Sequence, residues 1–136
     1  MDDAIRQALA IDRSSPARDR TVDITTIGAR TGRPRRIEIW FHRTDGKLYL
    51  SGLPGKRDWY ANLVANPRFT FHLKNSVRAD LPATAIPITD EAERRRIFTE
   101  FVDDLNQPHN PARIVQSTNV EDWMAGSPLA EIIFDE

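Results

Sequence analysis

The chain has no cysteine, which excludes disulfides, thiolate nucleophiles, zinc–thiolate centres and iron–sulfur clusters together. Histidine is scarce. His42, His72 and His109 lack both the paired spacing and the neighbouring carboxylates of a metal site, so no metal is expected. Tyrosine occurs only at Tyr49 and Tyr60. No apolar run approaches the length of a bilayer span, and the N-terminus opens on acidic residues, so a cytoplasmic location is the default expectation. A nucleophile-elbow serine, a P-loop and a dinucleotide-binding glycine fingerprint are all missing, as are internal repeats and low-complexity segments.

What is present is a chain of 136 residues with 40% hydrophobic and 29% charged content, the composition of one globular domain over 1–136. Residues 1–20 read as an N-terminal helix and linker. The net charge of −1 hides an asymmetry. Residues 21–57 carry eight Lys/Arg against Asp23, Glu38 and Asp45, whereas residues 90–136 carry eleven carboxylates against four arginines. A local basic face on a nearly neutral protein suits a discrete anionic small molecule better than a nucleic-acid backbone.

Hydrophobic periodicity predicts a short helix over Asp3–Ile11 and a strand over Thr21–Ile27. A second strand, Arg36–Arg43, should place Ile37, Ile39 and Phe41 on the interior face. Asp45-Gly46 then predicts a hairpin to Leu48–Ser51. A helix over Arg57–Ala65 stops before Pro67, and strands follow over Arg68–Lys74 and Val77–Ile88. Asp90 and Glu93 are spaced as a capping pair, opening an amphipathic helix to Leu105 with Ile97, Phe98, Phe101 and Val102 inward. Short helical turns are expected around Ile114 and Trp123, and a last strand over Glu131–Phe134. Six short strands, mainly hairpin-linked, with two to three peripheral helices predict a mainly β (α+β) fold, a small antiparallel barrel.

The chemistry concentrates in two stretches. Gly28, Arg30, Thr31, Gly32, Arg33, Pro34 and Arg35 gather guanidiniums on a turn whose glycines expose backbone N–H groups, as a phosphate or polycarboxylate requires. The same turn could instead be solvated, its arginines paired with Asp23, Glu38 or surface acids. The second stretch runs from Ser51-Gly52-Leu53 through Lys56 and Arg57 to Trp59 and Asn62. Here Trp59 and Leu63 also fit core packing, and Asn62 fits a helix-end hydrogen bond or an anchor for the loop.

Thr25-Thr26-Ile27-Gly28, Arg30-Thr31-Gly32-Arg33-Pro34-Arg35, Asp45-Gly46, Ser51 and Trp59-Tyr60-Ala61-Asn62-Leu63-Val64-Ala65-Asn66-Pro67, in this order, resemble the deazaflavin-dependent nitroreductase family. These are split barrels related to FMN-binding pyridoxamine-phosphate oxidases. The resemblance implies an oxidoreductase that uses reduced coenzyme F420 to pass a hydride to an enone, quinone or nitroaromatic. It implies that Arg30, Arg33 and Arg35 take the anionic tail, and that Ser51, Gly52, Lys56 and Arg57 lie near the ring or phosphate. Many relatives carry a lysine after the serine, where this chain has Gly52. The family's substrate-side tyrosines are also missing. On this geometry the acceptor pocket is expected from Leu53, Trp123 and Met124 with Leu9, although Trp123 fits equally as an anchor for the last strand. FMN would satisfy the same arginines, and a non-catalytic flavin, tetrapyrrole or lipid carrier is the alternative of another class. Split barrels of this kind pair through the sheet, so a homodimer is expected.

Overall fold

In the computed structural model, which describes residues 1–112 and 118–135, alternation decides the first strand. β1 (Thr21–Ile27) buries Val22, Ile24 and Thr26 and leaves the residues between them half-buried. β2 (Pro34–Thr44) returns antiparallel, from Ile27 opposite Pro34 to Thr21 opposite Trp40. The turn to β3 (Lys47–Ser51) places Asp45 at φ 52° and Gly46 at φ 74°. These left-handed values suit the hairpin, and Asp-Gly is the pair that tolerates them.

After α3 (Asp58–Ala65) come β4 (Arg68–Leu73) and β5 (Ala79–Pro87), and β6 (Leu129–Phe134) ends the chain. The strands form a closed antiparallel barrel in the order β1-β2-β3-β6-β5-β4. Its interior is filled by Ile24, Phe41, Leu50, Phe71, Ala83 and Ala130 among others. With strand directions alternating around the wall, the end of β1, the start of β2 and the end of β3 share one mouth. α3 caps that mouth through Trp59, Asn62 and Leu63.

The helices number five among the described residues rather than two or three. α1 covers Asp3–Leu9, shorter than expected, and a four-residue α2 (Ala17–Arg20) precedes β1. Leu9 and Ile11 join the core beside Leu73 and the half-buried Val77 and Ala79, plugging the mouth opposite α3. α4 (Glu91–Leu105) starts where Asp90 accepts the Glu93 N–H at 2.9 Å, as the capping pair predicts. α5 (Val120–Gly126) carries Trp123, whereas the expected turn at Ile114 lies outside the described residues. Together α4 and α5 pack a second apolar cluster outside the barrel, with Tyr49, Phe98, Phe101, Trp123 and Leu129.

One face differs from the sequence reading. Phe41 is fully buried and Ile39 packs on the core, but Ile37 is 37% exposed. The cause is the stagger of the hairpin. β3 pairs with β2 only from Phe41 opposite Leu50 onward, so the first half of β2 is flanked by β1 alone and Ile37 lies at the rim.

Both strand histidines are sheet residues, as their patterns suggested. His42 is buried and stacks on Phe101 at 4.4 Å. Nearby, the buried Arg20 pairs with Asp104 at 2.6 Å and donates to the carbonyls of Asp12, Arg13 and Ser15. His72 bridges Thr25 Oγ1 at 2.7 Å and Asp80 Oδ1 at 2.6 Å across three strands.

Candidate functional site

The turn between β1 and β2 is built around its glycines. A Cβ on Gly28 would come within 2.5 Å of Thr31 Oγ1 and 3.4 Å of the Arg33 carbonyl, and Gly32 sits at φ +67°. The Gly28 N–H donates to Arg33 O at 2.8 Å, Gly32 N–H to Gly28 O at 2.9 Å, and Arg33 N–H to Thr31 Oγ1 at 3.2 Å. These bonds draw the turn into a tight loop that leads straight into Pro34, the first residue of β2.

Asn62 attaches this loop to the capping helix. Its side-chain oxygen accepts the Ala29 N–H at 2.9 Å while its amide donates to Thr26 Oγ1 at 3.1 Å. Asn62 and Thr26 are both buried, so these bonds tie helix α3 to the turn out of reach of water. Of the two roles open to Asn62, it is the anchor.

A cleft of about 440 Å³ opens where they meet, lined by Arg30, Arg35, Ile37, Trp59 and Asn62 with the backbone of Gly28 and Ala29. Arg30, Arg33 and Arg35 are exposed and form no ion pair among the described residues. Asp23 is taken by Arg36 at 3.0 Å and Lys74 at 2.6 Å, and Glu38 also by Lys74. Burial works to raise the Asp23 pKa, but the hydrogen bonds from Lys74 and Arg36 hold its carboxyl below its ordinary value. Asp23 and Glu38 are therefore committed elsewhere, while Asp58 borders the cleft without pairing to its arginines. Arg33 stands outside the cleft lining, while Arg30 and Arg35 face it.

Trp59 serves both readings. It is 7% exposed within the core cluster, edge-on to Tyr60 at 5.9 Å, and also borders the cleft.

On the other flank of α3 a second cleft of about 510 Å³ is lined by Lys56, Arg57, Tyr60, Arg94, Ala125 and Ser127. Asp58 and Ala61 border both clefts, so the two meet over the first turns of the helix. Lys56 is exposed. Arg57 is occupied internally, donating to Leu53 O at 2.7 Å and Lys56 O at 3.2 Å, and its guanidinium lies over the loop. A Cβ on Gly52 would be 3.4 Å from its Nε, and one on Gly55 only 2.8 Å from its Nη1.

Several expected site residues lie elsewhere. Ser51 is 2% exposed and donates to Pro128 O at 2.6 Å, and neither it nor Gly52 lines either cleft. Leu53 is 58% exposed on the loop. Trp123 is 1% exposed, donates to Thr118 Oγ1 at 2.7 Å and meets Phe98 and Phe101 edge-on. It anchors the second core, with the half-buried Met124 packed against that cluster. Leu9 plugs the far mouth. The acceptor pocket expected from Leu53, Leu9, Trp123 and Met124 is therefore not assembled, because these residues belong to a loop tip, the opposite barrel end and a separate core. Arg94 and Ser127, which do border a cleft, carry no local sequence signal.

The donor set suits a ligand with an anionic tail and a planar body: unpaired guanidiniums and a backbone cradle on one side of α3, a largely apolar cleft on the other. No helix among the described residues is long and apolar enough to cross a membrane.

The barrel has counterparts among known proteins. The fold is similar to the conserved hypothetical protein Rv2991 from Mycobacterium tuberculosis, at TM-score 0.65 and 20% identity, covering 100% of this chain and 82% of that one. It is similar to an F420-H2 dependent reductase, FDR-A, at TM-score 0.53 and 20% identity over 83% and 93% of the two chains. A Clostridium acetobutylicum protein of the pyridoxinephosphate oxidase family matches at TM-score 0.63 and 15% identity, over 96% and 81%. Residues 8–116 match the model of the F420H(2)-dependent quinone reductases. On that match, which spans the arginine turn, both clefts' shared helix and most of the barrel, the chain belongs to the F420H(2)-dependent quinone reductase family, oxidoreductases that use coenzyme F420.

Proposed function

We propose that this protein passes a hydride from reduced F420 to a small organic acceptor, an enone, quinone or nitroaromatic, with the cofactor laid across the first turns of α3. Arg30 and Arg35, with Arg33 beside them, would hold the phosphate and carboxylates of the tail, aided by the Ala29–Asn62 framework. Lys56 would serve the same charge from the other flank. Bound in its reduced form, the deazaflavin supplies the hydride. The protein's part is to hold, orient and exclude water, which needs no acid–base triad of its own. The observation that carries this reading is a turn of three guanidiniums without ion-pair partners, pinned to a helix that borders two clefts, one lined by Arg30 and Arg35 and the other by Lys56, Tyr60 and Ala125.

The test is equilibrium titration of the purified protein with F420 and with FMN, followed by oxidation of reduced F420 in the presence of a quinone. Preferential F420 binding with acceptor-dependent oxidation supports the proposal. A yellow protein that retains FMN and ignores F420 defeats it in favour of the flavin reading. A homodimer is part of the proposal, supported by the small size of the chain and by a structural relative described as a domain-swapped dimer. Light scattering that returns a monomer at micromolar concentration removes that part.

A further inference from the structure

The junction between α5 and β6 is held with unusual completeness. Three successive carbonyls each accept a hydrogen bond from a different part of the chain. Gly126 O accepts from Gly55 N–H at 3.0 Å, Ser127 O from Arg94 Nη2 at 2.9 Å, and Pro128 O from Ser51 Oγ at 2.6 Å. Arg94 is itself fixed by a second bond to Ile88 O at 3.2 Å and by lying 4.9 Å over the Phe98 ring. The Ser127 N–H donates to Trp123 O at 2.9 Å.

Within this pinned segment one polar group has no partner. Ser127 is 3% exposed, and among the described residues its hydroxyl is the one buried side-chain polar atom without a hydrogen bond. Buried hydroxyls are normally satisfied, because stranding one costs stability. Ser127 also borders the second cleft. Of the charged groups there, Lys56 and Asp58 are exposed while Arg57 and Arg94 spend their donors on backbone carbonyls, and the rest of the lining is largely Tyr60, Ala61, Ala125 and Pro128. A cleft whose wall is mainly apolar and which holds one buried, uncommitted hydroxyl suits a planar carbonyl compound.

We propose that this cleft is the acceptor subsite and that the Ser127 hydroxyl donates to the acceptor's carbonyl oxygen, fixing its orientation. This rests on the hydride-transfer reading and adds to it the residue that recognises the acceptor. Ser51, expected at the ring, takes a different part: by holding Pro128 O it positions the segment that carries Ser127.

The experiment is calorimetric binding of menadione and of its carbonyl-free analogue 2-methylnaphthalene to the full chain without cofactor, for the parent and for Ser127→Ala. The parent should prefer menadione. The substitution should weaken menadione about threefold to tenfold, the worth of one neutral hydrogen bond, and leave 2-methylnaphthalene unchanged. Because it removes an unsatisfied group, the melting temperature should hold or rise by a few degrees.

Equal binding of both probes by the parent overturns the proposal. So does unchanged menadione affinity in the variant, or a melting temperature lowered by several degrees, which would give the hydroxyl a structural partner. Weakened F420 affinity with menadione unaffected also overturns it, reassigning Ser127 to the cofactor. Failure of the hydride-transfer reading appears separately, as absent F420 binding by the parent.

Discussion

Replacing Asn62 with alanine tests whether the arginine turn is held from below. The substitution removes the bonds to Ala29 N–H and Thr26 Oγ1. Asn62 is 8% exposed and Thr26 1%, so water cannot readily replace what is lost. Each bond contributes about 1 kcal/mol net, and stranding the buried Thr26 hydroxyl adds to that, for a total of about 2–3 kcal/mol. Unfolding entropy of about 2.1 cal/mol/K per residue, applied to 136 residues, converts this into a fall of about 7–10 °C in melting temperature.

The same variant should bind F420 more weakly, because the backbone carrying Arg30 is no longer fixed. Asn62→Asp separates the two effects. Its carboxylate can still accept from Ala29 and from the Thr26 hydroxyl, so less stability is lost, yet it places negative charge beneath the arginines and should weaken the cofactor further. Scanning calorimetry and F420 titration measure both. Asn62→Ala melting within about 2 °C of the parent while F420 affinity drops would refute the reasoning, since Asn62 would then be touching the cofactor rather than supporting the turn.

Arg30→Ala and Arg35→Ala should each weaken F420 binding by about tenfold at low salt, less as ionic strength rises. Arg36→Ala, whose guanidinium is spent on Asp23, should change affinity far less, and equal losses at all three positions would count against a specific tail site. Trp123→Ala should cost about 3–5 kcal/mol of stability with the F420 affinity of the folded protein unchanged, as denaturant titration and binding can show. Burial above all, opposed by Asp104 and assisted by Arg20, lowers the His42 pKa to about 4. The unfolded chain takes up this proton near pH 6.5 and the folded one only near 4. Stability from this group is therefore complete above pH 6.5 and falls by about 3 kcal/mol on acidification to pH 4. His42→Phe should flatten that part of the curve in urea melts.

What the sequence disclosed follows the range of the forces involved. Asp45-Gly46 and Asp90 with Glu93 act within four residues, through left-handed φ angles and a capping bond, so the hairpin and the start of α4 were legible. The Arg30–Arg35 turn and the Trp59–Pro67 helix were legible as a pair through family resemblance, and Asn62 shows the physical reason for it, a bond across 33 residues. Arrangement across the barrel was not legible. Periodicity gives Leu9 and Trp123 an apolar side but cannot say which mouth or which core that side meets. The hydroxyl of Ser51 looks the same in a string of letters whether it faces a ligand or, as here, the carbonyl of Pro128. The stagger that exposes Ile37 depends on where β3 begins to pair, which local alternation does not encode.

The last strand has a consequence for how this protein is made. β6 lies between β3 and β5, pairing Ser51 with Leu129 on one side and Pro87 with Ala130 on the other. Synthesis proceeds from the N-terminus, so the hairpin of β2 and β3 and the pair of β4 and β5 emerge long before the strand that joins them. Until residues 129–134 clear the ribosome, two strand edges stand open to pairing with other nascent chains. The Ser127 segment is fixed to the same late strand, so the second cleft reaches its final shape only as the wall is sealed. A premature stop between β5 and β6 therefore leaves β3 and β5 as two open, adhesive edges of the sheet.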